Sequence, residues 1–254
     1  MLSLGIDVGG TTTRAAVVDE TGRVCQRQIT PTQTEGPIEA IIAQWSDLLE
    51  DVARSAGVDR SRSAGVGLAV PGLIDRRHGV IRRSVNLPLL DGAPVRELLQ
   101  ERSRTEVTLL TDIEAATLAE CRGCGTEVEP FVHLRIGTGV GCGLIKERRF
   151  IEPSRPGDGH ADVLVIEDGS AARPCTCGRR GCLEAYLSGR ALERKAGELH
   201  LPPSPGAARS LWLNEDRPAV EFFQSAVQSL VKALNRIVAT FQPKTICIGG
   251  GVIE

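Results

Sequence analysis

The sequence predicts an α/β fold, on three observations. Short apolar strands and amphipathic helical stretches are mixed throughout the chain. Two segments, DVGGTTT from Asp7 and IGTGVG from Ile136, share one design of strand, Gly/Thr turn and strand, which suits two lobes of similar construction. A length of 254 residues makes one large domain or two smaller ones.

The elements follow in order. LSLGIDV is apolar apart from Ser3 and Asp7, GGTTT interrupts it, and AAVVD resumes it. After the TGRV turn, VCQRQI adds a third strand, so the chain opens as a meander and not as a βαβ unit. Between Pro37 and Ala56 the apolar residues Ile38, Ile41, Ile42, Trp45, Leu48, Leu49 and Val52 recur with helical spacing. AGVGLAV (64–70) is a buried strand stopped by Pro71-Gly72. VTLLTD (107–112) is another strand, and IEAATLAEC (113–121) continues as a helix. The domain divide is expected there, giving lobes 1–113 and 114–254. HLRIGTGVGCGLI (133–145) is a strand, a turn and a strand, while 153–182 is an irregular lobe rich in Gly, Pro and Cys. Residues 218–240 form a helix with Val220, Phe223, Val227, Leu230, Val231, Leu234, Ile237 and Val238 on its apolar face. KTICIGGG (244–251) is a last strand running into glycines.

Composition excludes several classes. Lys plus Arg is 30 and Asp plus Glu is 32, a net charge of -2. That balance argues against nucleic acid or an anionic membrane as partner. No apolar run approaches the roughly 18–20 residues of a membrane span. The start, MLSLGIDVGG, has no basic region or long apolar core like a signal peptide, so a cytoplasmic location is expected. Aromatics are 3%, which leaves the core to Leu, Val, Ile and Ala. The eight cysteines read as reduced thiols with a metal cluster, because three of them crowd into residues 175–182.

Four motifs carry candidate chemistry. In Asp7-Val8-Gly9-Gly10-Thr11-Thr12 the glycines admit a close backbone approach, and turn amides and Thr hydroxyls can donate to phosphate oxygens. Asp7 is placed to hold Mg²⁺ or its waters. The bland alternative is an ordinary hairpin turn. Gly137-Thr138-Gly139-Val140-Gly141 offers the same chemistry again. Strands flank it on both sides, so it is not a dinucleotide-binding turn, which needs a helix after it. Asp112, where a strand meets a helix, either accepts a proton from a substrate hydroxyl or caps the helix. Cys175, Cys177 and Cys182, with His160 upstream, make a closed Zn²⁺ set, and Gly178 and Gly181 permit the tight loop. Cys121 and Cys124 lack a second pair and read as free thiols. Arg179-Arg180 and Arg82-Arg83 read as solvated turns, and Asn86 either turns its amide to a ligand or caps a loop.

Together these residues resemble the ROK family of repressors, open-reading-frame proteins and kinases. Five blocks match in order: GIDVGGTTTR (5–14), GVGLAVPGLID (65–75), TLLTDIEAATLAE (108–120), IGTGVGCGLI (136–145) and CTCGRRGCLEAYLSGRAL (175–192). IGGGV (248–252) makes a sixth. The resemblance implies a two-lobed, actin-like (ribonuclease H-like) sugar kinase fold with a zinc-binding loop and a cleft between the lobes. It implies ATP with Mg²⁺ against Gly9, Gly10, Thr11 and Thr12 and against Gly137, Thr138 and Gly139, with Gly249, Gly250 and Gly251 near adenosine. A sugar, either a hexose or an N-acylhexosamine, would meet Gly67, Asn86, Thr111, Asp112, His160 and Glu184, with Asp112 as general base. The zinc would be structural, and a homodimer is implied. The repressors carry an extra N-terminal helix-turn-helix, for which a first strand at residue 2 leaves no room. That points to the kinase branch.

The chain departs from the family pattern at three places. Thr111 stands where the family has Asn before the base. Gly157 stands where it has Glu, with Asp158 one residue away. The sequence stops at Glu254, where the pattern continues into a further helical segment, so the last strand is expected to expose apolar surface. These departures motivate an alternative, a non-catalytic sugar- or nucleotide-binding relic of the family.

Overall fold

The computed structural model describes residues 2–59, 63–84, 86–125, 128–151, 161–202 and 205–253. Two compact units result, 1–116 and 117–254.

The first unit is built on a five-stranded sheet of β1 (Leu2–Val8), β2 (Thr12–Asp19), β3 (Val24–Pro31), β4 (Val66–Val70) and β7 (Val107–Thr111), in the order β3-β2-β1-β4-β7. β1, β2 and β3 form the expected antiparallel meander. The carboxylate of Asp19 closes the β2–β3 turn by accepting from the backbone N–H groups of Thr21 and Arg23 and from the Thr21 hydroxyl. Leu4, Ile6 and Val8 alternate into the core, as period 2 requires. β4 runs parallel to β1 and to β7. Helix α1 (Ile38–Ser55) buries Ile41, Ile42, Trp45, Leu48, Leu49 and Val52 against this sheet's core, the face that its spacing predicts. Helix α2 (Val95–Ser103) and a hairpin of β5 (Leu73–Asp75) and β6 (Val80–Arg83) complete the unit. These three elements were not legible in the sequence.

The parallel strands end together. Asp7 pairs with Ala69, and Ala69 with Leu110, so Val8, Val70 and Thr111 close one edge of the sheet. That edge is where ligands of α/β sheets bind. From it starts helix α3 (Asp112–Cys124), and the boundary between the two units falls within α3.

The second unit has a four-stranded sheet of β8 (Phe131–Ile136), β9 (Val140–Lys146), β10 (Arg149–Ile151) and β11 (Thr245–Gly249), in the order β10-β9-β8-β11. β8 and β9 are antiparallel, and β8 and β11 parallel. Helices α4 (Glu184–Leu187), α5 (Gly189–Glu198), α6 (Pro205–Leu213) and α7 (Arg217–Phe241) follow. Asp216 caps α7 by accepting from Ala219 N–H.

The apolar face expected for α7 is corrected in part: Phe223, Leu230, Leu234 and Ile237 pack into the cores, and the valines do not. Its buried residues are Ala219, Phe222, Ser229, Ala233 and Ile237, while Val227, Val231 and Val238 are exposed. The eight apolar residues spread over more of the helix than one contact surface can receive. The small Ala and Ser side chains make the close approach, and the valines lie around the helix from them. Among the described residues no helix is long and apolar enough to cross a membrane.

Candidate active site

In the first unit the β1–β2 turn is shaped by its own backbone. Gly9 N–H donates to Thr12 C=O at 3.0 Å, and a Cβ on Gly9 would lie 2.8 Å from that oxygen, so only glycine fits. Thr32, beyond β3, holds the turn from the side. Its hydroxyl donates to Gly9 C=O at 2.7 Å, its N–H donates to Thr11 C=O at 2.9 Å, and its Oγ1 meets Thr13 Oγ1 at 2.9 Å. No spacing in the sequence marks Thr32. Gly10 and Thr11 are exposed at the tip. The Asp7 carboxylate, 3.4 Å from Arg14 Nη1, is half-exposed at the end of β1. An accessible carboxylate beside this glycine turn fits Mg²⁺, which keeps most of its waters.

Asn86 comes close to the same turn, since a Cβ on Gly10 would touch Asn86 Cβ at 3.5 Å. The loop carrying it is fixed on both sides: Ser84 N–H donates to Asp91 at 2.6 Å and Leu87 N–H to the Ser84 hydroxyl at 3.3 Å. Gly67 does not reach this edge. It lies in mid-strand, paired with Gly5 and Thr108.

Asp112 is the first residue of α3, and the helix is capped from the residue before it. The buried Thr111 hydroxyl accepts from Glu114 N–H at 3.3 Å. The capping reading of Asp112 is thereby corrected, and the signal was present in the sequence as the Thr-x-x-Glu pattern of a capping box. Asp112 Oδ1 accepts from Ile113 N–H at 2.9 Å. The Glu114 carboxylate, 10% exposed, pairs with the Arg76 guanidinium from the β5–β6 hairpin. Arg96 clamps that hairpin by donating to the carbonyls of Arg76 and Arg77 at 2.8 and 3.0 Å. Where β5 enters the turn, Asp75 accepts from His78 and from Arg82, which hold its carboxyl well below the usual carboxylate range. Arg82 is therefore paired while its side chain stays 63% exposed.

In the second unit the β8–β9 turn, Gly137-Thr138-Gly139, is tied at several points. Gly137 N–H donates to Gly139 C=O at 2.9 Å, and Gly189 N–H, at the start of α5, donates to Gly137 C=O at 2.8 Å. The Gly249–Gly251 segment packs on the same strand end: Val252 N–H donates to Ile136 C=O at 3.2 Å, and a Cβ on Gly250 would collide with that carbonyl. The two glycine segments singled out in this half of the sequence thus lie together. Glu184 Oε2 accepts from Val140 N–H at 3.0 Å, and Oε1 accepts from the Thr176 hydroxyl.

The cysteine loop has the donor set and spacing of a metal site. The sulfurs of Cys175, Cys177 and Cys182 all lie within 4.8 Å of one another, and Cys177 and Cys182 are 3.7 Å apart. Two thiolates on one tetrahedral Zn²⁺, each about 2.3 Å away, would sit about 3.8 Å apart, so the set fits zinc. Gly178 and Gly181 have positive φ, and Gly181 faces Glu167 C=O too closely for any Cβ. His160, the fourth ligand expected, lies outside the described residues, as do Gly157 and Asp158. Arg179 and Arg180, expected to be solvated, are engaged: Arg179 pairs with Asp162 at 2.8 Å and Arg180 donates to Ser170 C=O at 3.0 Å. Cys121 and Cys124 are free thiols at the end of α3. Burial pushes the Cys142 thiol up to about 12, which keeps it protonated at neutral pH. Burial pulls His133 down, which favours its neutral form.

The ROK family model matches residues 3–254, and the chain belongs to the ROK family. It is 30% identical to a glucokinase of Thermotoga maritima over 98% of this chain and 81% of that protein. It is 29% identical to an N-acetylmannosamine kinase of Pasteurella multocida over 99% and 82%. A solved ROK hexokinase from Thermus thermophilus superposes with a TM-score of 0.82 at 32% identity, over 100% of this chain and 83% of that one. The fold is accordingly the α/β, actin-like sugar-kinase fold that the motifs imply.

Proposed function

We propose that this protein transfers the γ-phosphoryl group of ATP to a hydroxyl of a hexose or N-acylhexosamine, with Asp112 as general base. The observation that carries the reading is the placement of Asp112 at the carboxyl edge of β1, β4 and β7, on the edge that also bears the Gly9–Thr12 turn. A carboxylate there takes the proton of the attacking hydroxyl as its oxygen bonds the γ-phosphorus and the bond from that phosphorus to ADP breaks. A loose phosphoryl transition state asks little covalent work of the protein, so positioning and charge supply most of the rate. The Gly9–Thr12 and Gly137–Gly139 turns are assigned to the triphosphate, with Asp7 toward its Mg²⁺ and Gly249–Gly251 toward adenosine. Asn86 and Asp112 are assigned to the sugar. Zinc at Cys175, Cys177 and Cys182 is assigned a structural task, bracing the loop and not touching the reacting atoms. A cytoplasmic setting follows from these substrates. The curated relatives named as glucokinase and N-acetylmannosamine kinase support both sugar classes.

The test is ADP release with ATP·Mg²⁺ across hexoses, N-acetylhexosamines and free hexosamines. ADP formation that depends on one sugar is expected. ADP release from none of them overturns the assignment in favour of a binding protein.

A further inference from the structure

We propose that Arg135 is a phosphate-binding residue whose guanidinium takes oxygens of the ATP polyphosphate at the Gly137–Gly139 turn. This deepens the kinase reading and rests on it for the statement that ATP lies at that turn.

The second unit repeats the first in this region. Each has a strand, a glycine turn and an antiparallel return strand, with a parallel strand on the other side of the first. The registers correspond as well. Asp7 stands two residues before Gly9 and pairs with Arg14 on one neighbouring strand and Ala69 on the other. Arg135 stands two residues before Gly137 and pairs with Gly141 and Gly249. The second unit thus carries a cation at the position where the first carries a carboxylate. A carboxylate there suits a metal ion. A guanidinium suits the phosphate oxygens themselves, which its planar fork can meet two at a time.

The surroundings of Arg135 leave it open to such a ligand. Both of its cross-strand neighbours are glycines, so neither adjoining strand places a side chain beside it. Glycine within a strand marks a place where a ligand can approach the backbone closely. Every other residue of β8 is buried, and Arg135 is exposed. Among the described residues no carboxylate pairs with it. Glu120 lies instead against Cys247 Sγ, at 3.7 Å. His133, two residues back on the same face, is buried, and burial favours its neutral form, so it offers the guanidinium no counter-charge. Two strand residues span about 6.6 Å, which puts the turn within the reach of an arginine side chain. In a loose phosphoryl transition state negative charge spreads over the outer oxygens, and a fixed cation beside them stabilises it.

The experiment measures the binding of ATP·Mg²⁺ and of AMP to the full chain by calorimetry without sugar, and then ADP release with the accepted sugar. Arg135→Met keeps much of the length and removes the charge. It should weaken ATP binding by about ten- to hundredfold. AMP binding and the melting temperature should stay at wild-type values, because an exposed side chain without an ion-pair partner contributes little to the fold. The kcat/KM for ATP should fall at least as far as the affinity, with the sugar KM within about twofold of wild type. Arg135→Lys keeps a point charge without the fork and should recover at least part of the loss. The proposal is overturned if Arg135→Met binds ATP as wild type does, if AMP binding weakens as much as ATP binding, or if Arg135→Lys binds ATP no better than Arg135→Met. A working kinase whose Arg135→Met variant keeps full ATP affinity sinks the contact and leaves the kinase standing. ATP binding that depends on the Arg135 charge, in a protein that phosphorylates no sugar, sinks the kinase reading and leaves the contact.

Discussion

Asp112→Asn separates chemistry from architecture, because the structure shows what the substitution preserves. Asp112 Oδ1 accepts from Ile113 N–H at 2.9 Å, and an Asn Oδ1 can do the same. The cap of α3 comes from the Thr111 hydroxyl and is untouched. What is lost in the fold is one negative charge in the first helical turn, worth about 0.3–1 kcal/mol. Spread over a chain of this size, that shifts the melting temperature by roughly 4 °C at most. What is lost in the reaction is the proton acceptor, and general-base catalysis contributes about 10²–10⁴-fold, or roughly 2.7–5.5 kcal/mol of barrier. The assay is ADP release at saturating sugar and ATP, run beside a melting curve and a zinc determination. The expected result is a kcat lowered by about a hundredfold or more, with ATP KM, zinc content and melting temperature close to wild type. A loss under about tenfold would refute the base assignment. So would a loss that tracks unfolding.

Two further outcomes are expected. Arg76→Ala leaves the Glu114 carboxylate, 10% exposed, without its guanidinium. The cost should be about 1–3 kcal/mol in denaturant melts, below the roughly 3–5 of a fully buried pair because Arg76 is 41% exposed. The double variant Arg76→Ala/Glu114→Gln should recover part of it, and a single variant as stable as wild type would show that the pair contributes nothing. The second outcome concerns pH. The Tyr186 hydroxyl, and after it the Lys232 ammonium, hold the Glu167 carboxyl below its usual range. A depressed carboxylate contributes stability that is present above its unfolded value near about 4.3 and is lost as pH falls through the lower folded value. Melting temperatures from neutral pH into the acid range should therefore fall more steeply for wild type than for Glu167→Gln, and parallel curves would contradict the assignment.

Much of this fold is legible in the sequence, and the legible parts have a common cause. β1, β2 and α1 carry clear periodicity, because each buries one face or stripe against a continuous core, and β8 and β9 read as near-continuous apolar runs because both their faces are buried. The cysteine loop is legible because few other arrangements explain three thiols in so short a span. The β5–β6 hairpin is not, since its strands are three and four residues long and are held by Asp75, His78, Arg82 and Arg96 instead of an apolar pattern. α7 shows the opposite failure. Phe223, Leu230, Leu234 and Ile237 of the expected face do pack into the cores, but Val227, Val231 and Val238 are exposed, and Ala219, Ser229 and Ala233, which a hydrophobicity pattern undervalues, take buried positions. Thr32 and the double engagement of Glu184 are tertiary facts, fixed by which strands and loops become neighbours.

Thr111 shows how a departure from a family pattern changes meaning once its contacts are known. By sequence, Thr in place of Asn before the base means one substrate-facing carboxamide fewer. In the structure the residue is buried, and its hydroxyl accepts the N–H of Glu114. Glu114 in turn pairs with Arg76, so cap and ion pair brace the same first turn of α3 from two sides. A side chain occupied in this way steadies the helix that presents Asp112 and contributes little to discriminating one sugar from another. Losing a hydrogen-bonding group from a binding site relaxes selectivity against analogues. It does not remove the base. On the proposed reading the replacement therefore bears on which sugar is chosen, and it leaves Asp112 at the start of a braced helix. That separation weighs against the relic reading, because decay would be expected to loosen the turn that carries the acid, and here that turn is doubly secured.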